Sequence, residues 1–267
     1  MKLSTLYAAT LVATAIFGAN AAYAQNASAL AKSMQDAYKN VTSYSQKTSA
    51  SGKISVGAKS QVSGMTAEVR YKKPNMAYIV VSSPLTGTLA AFNTGTGLTV
   101  YRSKQNLVNK YPAGDSLKSV VGNLAQFGVV ASLDPLYMLE GNTLDPFVAS
   151  WSTKGTAMIN GVKCTVLVGS MKAVALQKAK SGTVTFWIDP AFMAHKVVIE
   201  WKGNKIMARP QPTAKNPNPK VQELFFDRSV TETVQEFKVN PNIPEGEFSY
   251  PIPKDAREQP TAAPKKK

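Results

Sequence analysis

Five strand signals follow one another between Met65 and Tyr111, and the gaps between them are too short to hold a crossover helix. This spacing restricts the fold more than any other feature, because consecutive strands without crossovers must pair antiparallel as a meander. Met65–Tyr71 alternates apolar and polar residues, as a half-buried strand does. Lys72-Lys73-Pro74-Asn75 turns the chain. Met76–Val81, Leu85–Phe92, Leu98–Arg102 and Leu107–Tyr111 complete the run. The pattern resumes after Trp151. Gly155–Ile159 and Val162–Val168 flank Asn160-Gly161, a strong two-residue hairpin signal. A longer hairpin spans Thr183–Trp201, with its turn at Asp189-Pro190. Lys205–Ala208 extends it, and Val221–Arg228 with Thr231–Val239 form a last strand pair. The total is about ten or eleven strands, so the chain is mainly β (α+β).

Helical periodicity occurs in two places. Leu30, Met34, Ala37, Tyr38 and Val41 make one apolar stripe within Ala27–Val41. Between about residues 115 and 150, Leu117, Val120, Val121, Leu124 and Phe127 make a second stripe. Leu133–Leu139, with Pro135 early and Gly141 after it, predicts a short helix, and Leu144–Phe147 one more turn. We expect this middle region to form a central helical plug.

The Thr183–Trp201 hairpin shows why a plug matters. Val184, Phe186 and Ile188 share one face, and Trp187 lies on the other. Val197, Ile199 and Trp201 oppose Val198 on the return. Apolar groups on both faces exceed what so few helices can cover. Alternation places Val69, Tyr71, Tyr78, Val80, Leu89, Val100, Phe186 and Ile188 on the face opposite the helical region, with Leu136, Tyr137 and Met138 from the plug itself. These are the candidate lining of a hydrophobic ligand cavity. The competing reading is a dry, close-packed core. Trp187 is expected at the outer or rim side.

Met1-Lys2, the apolar run Leu6–Phe17 and the cleavage pattern Ala22-Tyr23-Ala24 predict a secretory signal over residues 1–24, removed on export. The mature chain of about 240 residues fits one all-β domain over residues 25–253, followed by a disordered basic tail, 254–267. The expected compartment is the periplasm. Cys164 is the single cysteine, so no intramolecular disulfide is available. Its alternation with polar neighbours reads as a small buried hydrophobe.

The formal net charge is +15. Ala37–Gly114 holds ten Lys or Arg residues and one acid, Glu68. Such asymmetry suits an anionic membrane surface or an acidic periplasmic protein as partner, and export argues against nucleic acid. His195 is the only histidine, and no G-x-S-x-G elbow, metal-ligand cluster or phosphate loop is present, so the sequence predicts no catalytic, metal or cofactor site. His195 reads as a solvated or structural residue.

The amphipathic helix Leu30–Val41, RYKKPNMAYIVV (Arg70–Val81), YRSKQNLVNKYP (Tyr101–Pro112), INGVKCTVLVG (Ile159–Gly169), FWIDPAFMAHKVVIEW (Phe186–Trp201) and VNPNIPEGEFSYPIP (Val239–Pro253) occur in that order. Together they resemble the periplasmic outer-membrane lipoprotein carriers (LolA/LolB-like), in a branch of predicted periplasmic proteins. The resemblance implies a strongly curved, unclosed antiparallel half-barrel whose open side is plugged by helices. It also implies an apolar concavity that accepts acyl chains. The chain is longer than those carriers, with a proline-rich stretch at Arg209–Pro219 and a lysine-rich tail. The expected function is a non-enzymatic, monomeric periplasmic binder or carrier of lipids or acylated ligands. The alternatives are a sensor or regulatory interaction module on the same fold and, third, a hydrolase.

Overall fold

The computed structural model of the chain describes residues 26–112, 135–176, 178–208 and 220–259. Helix α1 (residues 26–39) leads into β1 (Ser43–Val56), β2 (Lys59–Lys72), β3 (Met76–Ser83), β4 (Gly87–Asn93), β5 (Gly97–Arg102) and β6 (Leu107–Pro112). One turn of helix, α2 (Pro135–Met138), precedes β7 (Val148–Ile159), β8 (Val162–Met171), β9 (Ser181–Ile188), β10 (Ala194–Ala208) and β11 (Gln222–Val239). A last short strand is β12 (Arg257–Gln259).

Among the described residues the twelve strands belong to one open sheet, in the order β12-β6-β5-β4-β3-β2-β1-β11-β10-β9-β8-β7. Sequence neighbours pair as antiparallel hairpins, as their short turns require. At the β7–β8 turn, Asn160 and Gly161 both take positive φ (48° and 81°), the backbone a two-residue hairpin needs. The two meanders, β1–β6 and β7–β11, meet at one long-range seam, where Ala50 of β1 lies opposite Glu232 of β11. The far end curls back toward the middle. Asn160 Nδ2 at the β7–β8 tip donates to the Val234 carbonyl of β11 at 2.8 Å.

The mainly β, antiparallel, unclosed architecture agrees with the sequence reading, and the strand count corrects it. The sequence marks no separate strand over β1, whose SYSQKTSASGKISV lacks a clear apolar alternation. Val221–Arg228 and Thr231–Val239 are one continuous strand, because Val230 pairs with Gly52 on one side and Ile199 on the other. Lys205–Ala208 continues β10 through a bulge between Trp201 and Asn204. Most of the expected central plug, including the Leu117–Phe127 stripe, lies outside the described residues. Of the Leu133–Leu139 helix, the described part is α2.

The inner face of the sheet packs on α1. Ala27, Ala31, Met34 and Tyr38 are buried in one cluster with Tyr44, Ile79, Val100, Val184 and Val197. The outer face of β3–β6 is covered by the carboxyl-terminal segment. Ile243 and Phe248 bury Met76, Tyr78 and Phe92, while Tyr250 and Ile252 pack on Ala90, Tyr101 and Val108. The segment is bolted down by Arg70, whose guanidinium stacks on Tyr78 at 4.4 Å, bonds Glu68 at 2.6 Å and reaches Glu247 at 3.4 Å. The order expected to stop at Pro253 extends to Gln259. Arg257–Gln259 add to the edge strand β6 in parallel, and the Arg257 N–H donates to the Asn106 carbonyl at 2.9 Å. A proline- and lysine-rich composition reads as solvated tail, but the unpaired backbone of an edge strand gives it a partner.

Candidate ligand-binding concavity

Helix α1 fills one half of the inner face. Tyr38 Oη accepts from the Ala194 N–H at 3.2 Å, and Gln35 Oε1 accepts from the Leu144 N–H at 2.7 Å. These bonds fix the helix over the β9–β10 turn and the segment after α2. Six of the sequence-expected lining residues meet in this half: Val69, Tyr71, Val100, Met138, Phe186 and Ile188 are all buried in the cluster around α1. Leu89 and Tyr137 are half-buried against it. Between the β9–β10 hairpin and α2 the space is filled by side chains, since Phe186, Met138 and Leu139 are at most 1% exposed. These residues form part of one packed core.

Tyr78 and Val80 fall on the other face. Tyr78 pairs with Arg70 and Val80 with Glu68, whereas the inner Val69 and Tyr71 pair with Ile79 and Ala77. Their apolar character serves the carboxyl-terminal cover, which alternation within β3 could not foresee: both faces of this strand are covered, so both read apolar. The Leu136 side chain lies outside the described ones. Trp187 faces outward, under the Lys196 ammonium at 4.8 Å, as expected. His195 sits beside the β9–β10 turn, with its ring edge-on to Phe237 at 5.0 Å. Its Nε2 lies 3.0 Å from Asp189 Oδ2, and Asp189 Oδ1 accepts from the Met193 N–H at 2.8 Å, which closes the β9–β10 turn.

The other half of the inner face, toward the end of β1 and the start of β11, carries apolar groups that no described residue covers. Val230 lies beside the inner residue Ile199 and is 37% exposed; Ile54, opposite Arg228, is 51% exposed. An open cleft of about 560 Å³ runs along the ends of β1–β4. It exists because its lining is small: Ser49, Ala50, Gly64, Ser82, Ser83, Gly87 and Thr88, with Met65, Thr66 and Pro84. Its size lies in the usual range for small-molecule sites.

At the border between the filled and open halves sits a polar chain that sequence reasoning missed. Tyr44 Oη donates to Gln46 Oε1 at 2.6 Å, and Gln46 Nε2 donates to Glu232 Oε1 at 3.1 Å. All three point inward, since Gln46 pairs with Val69 and Glu232 with Val197, both inner core residues. Burial pushes the Glu232 carboxyl above the usual carboxylate pKa, and the hydrogen bond from Gln46 offsets only part of that. The available signal was Glu232 alternating with Val230 and Val234 on one face of a strand.

The family model described as "Predicted periplasmic protein (DUF2092)" matches residues 27–259. No curated protein sequence matches the chain. Among solved structures, the lipoprotein LppX of Mycobacterium tuberculosis is similar at 15% identity, covering 82% of this chain and 98% of that one, with a TM-score of 0.46. LprF of Mycobacterium bovis is similar at 13% identity, with 87% and 98% covered and a TM-score of 0.43. A LolA superfamily protein of Nitrosomonas europaea shows 10% identity, 84% and 97% coverage and a TM-score of 0.31.

Proposed function

The chain belongs to the DUF2092 family of predicted periplasmic proteins, and we propose that it is exported by its amino-terminal signal and binds acyl chains there as a non-enzymatic carrier. One observation carries this reading. The inner face of the sheet carries apolar groups both where α1 packs on it and beyond, where no described residue covers Val230 and Ile54, and a cleft opens along the ends of β1–β4. A contiguous exposed apolar surface in a curved sheet is a binding surface more readily than a core. Burying an acyl chain of about 14 carbons there contributes on the order of 10 kcal/mol, at about 0.8 kcal/mol per methylene, before the costs of association. That suffices for a shuttle that must also release its cargo.

The test begins with mass spectrometry of an organic extract of the purified protein, which should yield bound lipid. A fluorescent fatty acid should bind the protein, and Ala50→Trp, which fills the cleft with an indole, should weaken that binding while leaving the thermal transition near that of the unaltered protein. Repeated preparations without lipid, together with no binding of the probe, would rule the carrier reading out.

A further inference from the structure

Glu232 is a charged group placed where the acyl-binding reading needs only apolar contacts. It is half-buried, held at Oε1 by Gln46, and flanked along the inner face of β11 by the exposed Val230 and the buried Val234. Among the described residues no lysine, arginine or histidine forms an ion pair with it. Gln46 offers a neutral donor, which orients a carboxylate but does not neutralise it. Even a half-buried carboxylate without a counter-charge costs free energy that a cationic partner reaching it would offset.

Resting on the acyl-binding reading, we propose that Glu232 is the headgroup contact of the concavity and selects acyl ligands that carry a primary ammonium. An ammonium against this carboxylate would form a charge-assisted hydrogen bond in a place shielded from water. A phosphate or fatty-acid carboxylate at the same point would meet like charge. The direction of binding follows from Arg228. It projects from the same face four residues away, about 13 Å along the strand, with its guanidinium 4.1 Å over the Trp201 ring. That positive charge repels an ammonium, so the amine lies at Glu232 and the chain runs over Val230 toward Ile54. The protein's net charge of +15 attracts anions from solution, so a preference for an amine can only be local.

The experiment compares tetradecylamine, tetradecanol and tetradecanoate, each below its micellar concentration, by calorimetric titration of the full mature chain and of Glu232→Gln. The expected result is an amine affinity about tenfold or more above the alcohol in the unaltered protein, with the carboxylate weakest. In Glu232→Gln the amine should fall to the level of the alcohol. Equal binding of amine and alcohol to the unaltered protein overturns the headgroup assignment and leaves acyl binding standing; so does an amine preference that survives in Glu232→Gln. Failure of all three ligands to bind overturns both readings. The comparison within the unaltered protein decides the matter even if the variant folds poorly.

Discussion

A carboxyl group that burial discourages from ionising leaves a mark on the pH dependence of folding. In the folded chain Glu232 has its pKa raised, first by desolvation, against the smaller opposing effect of the Gln46 hydrogen bond. The folded state therefore holds this proton more tightly than the unfolded one. The stability it contributes is fully present below the unfolded carboxylate pKa and is lost as pH rises through the folded pKa. Glu232→Gln removes the ionised form altogether. Its melting temperature should exceed that of the unaltered protein at pH 8, and the difference should shrink toward pH 4. Thermal denaturation at both pH values checks this; an equal difference at both would exclude Glu232 as the source. Little of this was legible in the sequence. A glutamate between two threonines in a strand reads as a wet face, and only the pairing of Glu232 with Val197 turns it inward.

Elements behave differently from residues, because an element's partner can be far away in the chain. The carboxyl-terminal cover depends on Phe248, fully buried among Met76, Tyr78 and Phe92. Phe248→Ala should cost about 3–5 kcal/mol in the stability of that cover. Hydrogen exchange is expected to speed up through residues 243–259 and the Arg257 amide, with β8 and β9 unchanged. Uniform loss of protection across the sheet would show instead that the cover and the sheet open as one unit. Hairpins such as β7–β8 and β9–β10 were legible because their turns carry Asn-Gly and Asp-Pro. The cover was not, because Val239–Pro253 has no periodicity of its own and takes its shape from the outer face it lies on.

The whole molecule is two meanders held at the β1–β11 seam. Loop closure across nearly the entire chain must precede that pairing, which makes it the costliest step in folding. All three tryptophans, Trp151, Trp187 and Trp201, lie on the β7–β10 side of the seam, so their fluorescence reports that half, while far-ultraviolet circular dichroism reports both. In the unaltered protein the two signals should give coincident denaturant transitions. Ser49→Pro removes a backbone donor from a strand paired on both sides, opposite Thr233 and Thr66. It should lower stability by about 1–3 kcal/mol and separate the two transitions. If they stay coincident, the halves are coupled by more than the seam.

By itself the sequence determined that the chain is an antiparallel β meander with an amphipathic helix at its start. Those properties are local: they follow from turn chemistry, period-2 alternation and residue inventory. Which apolar face is core and which lies under the carboxyl-terminal cover was decided only in three dimensions. Tyr78 and Ile79 are adjacent and equally apolar, yet one packs under Phe248 and the other on the side of α1. Alternation fixes that the two part company, not which way each goes. That choice belongs to the segments that dock on the sheet from far along the chain: α1 from one end and the Ile243–Phe248 cover from the other.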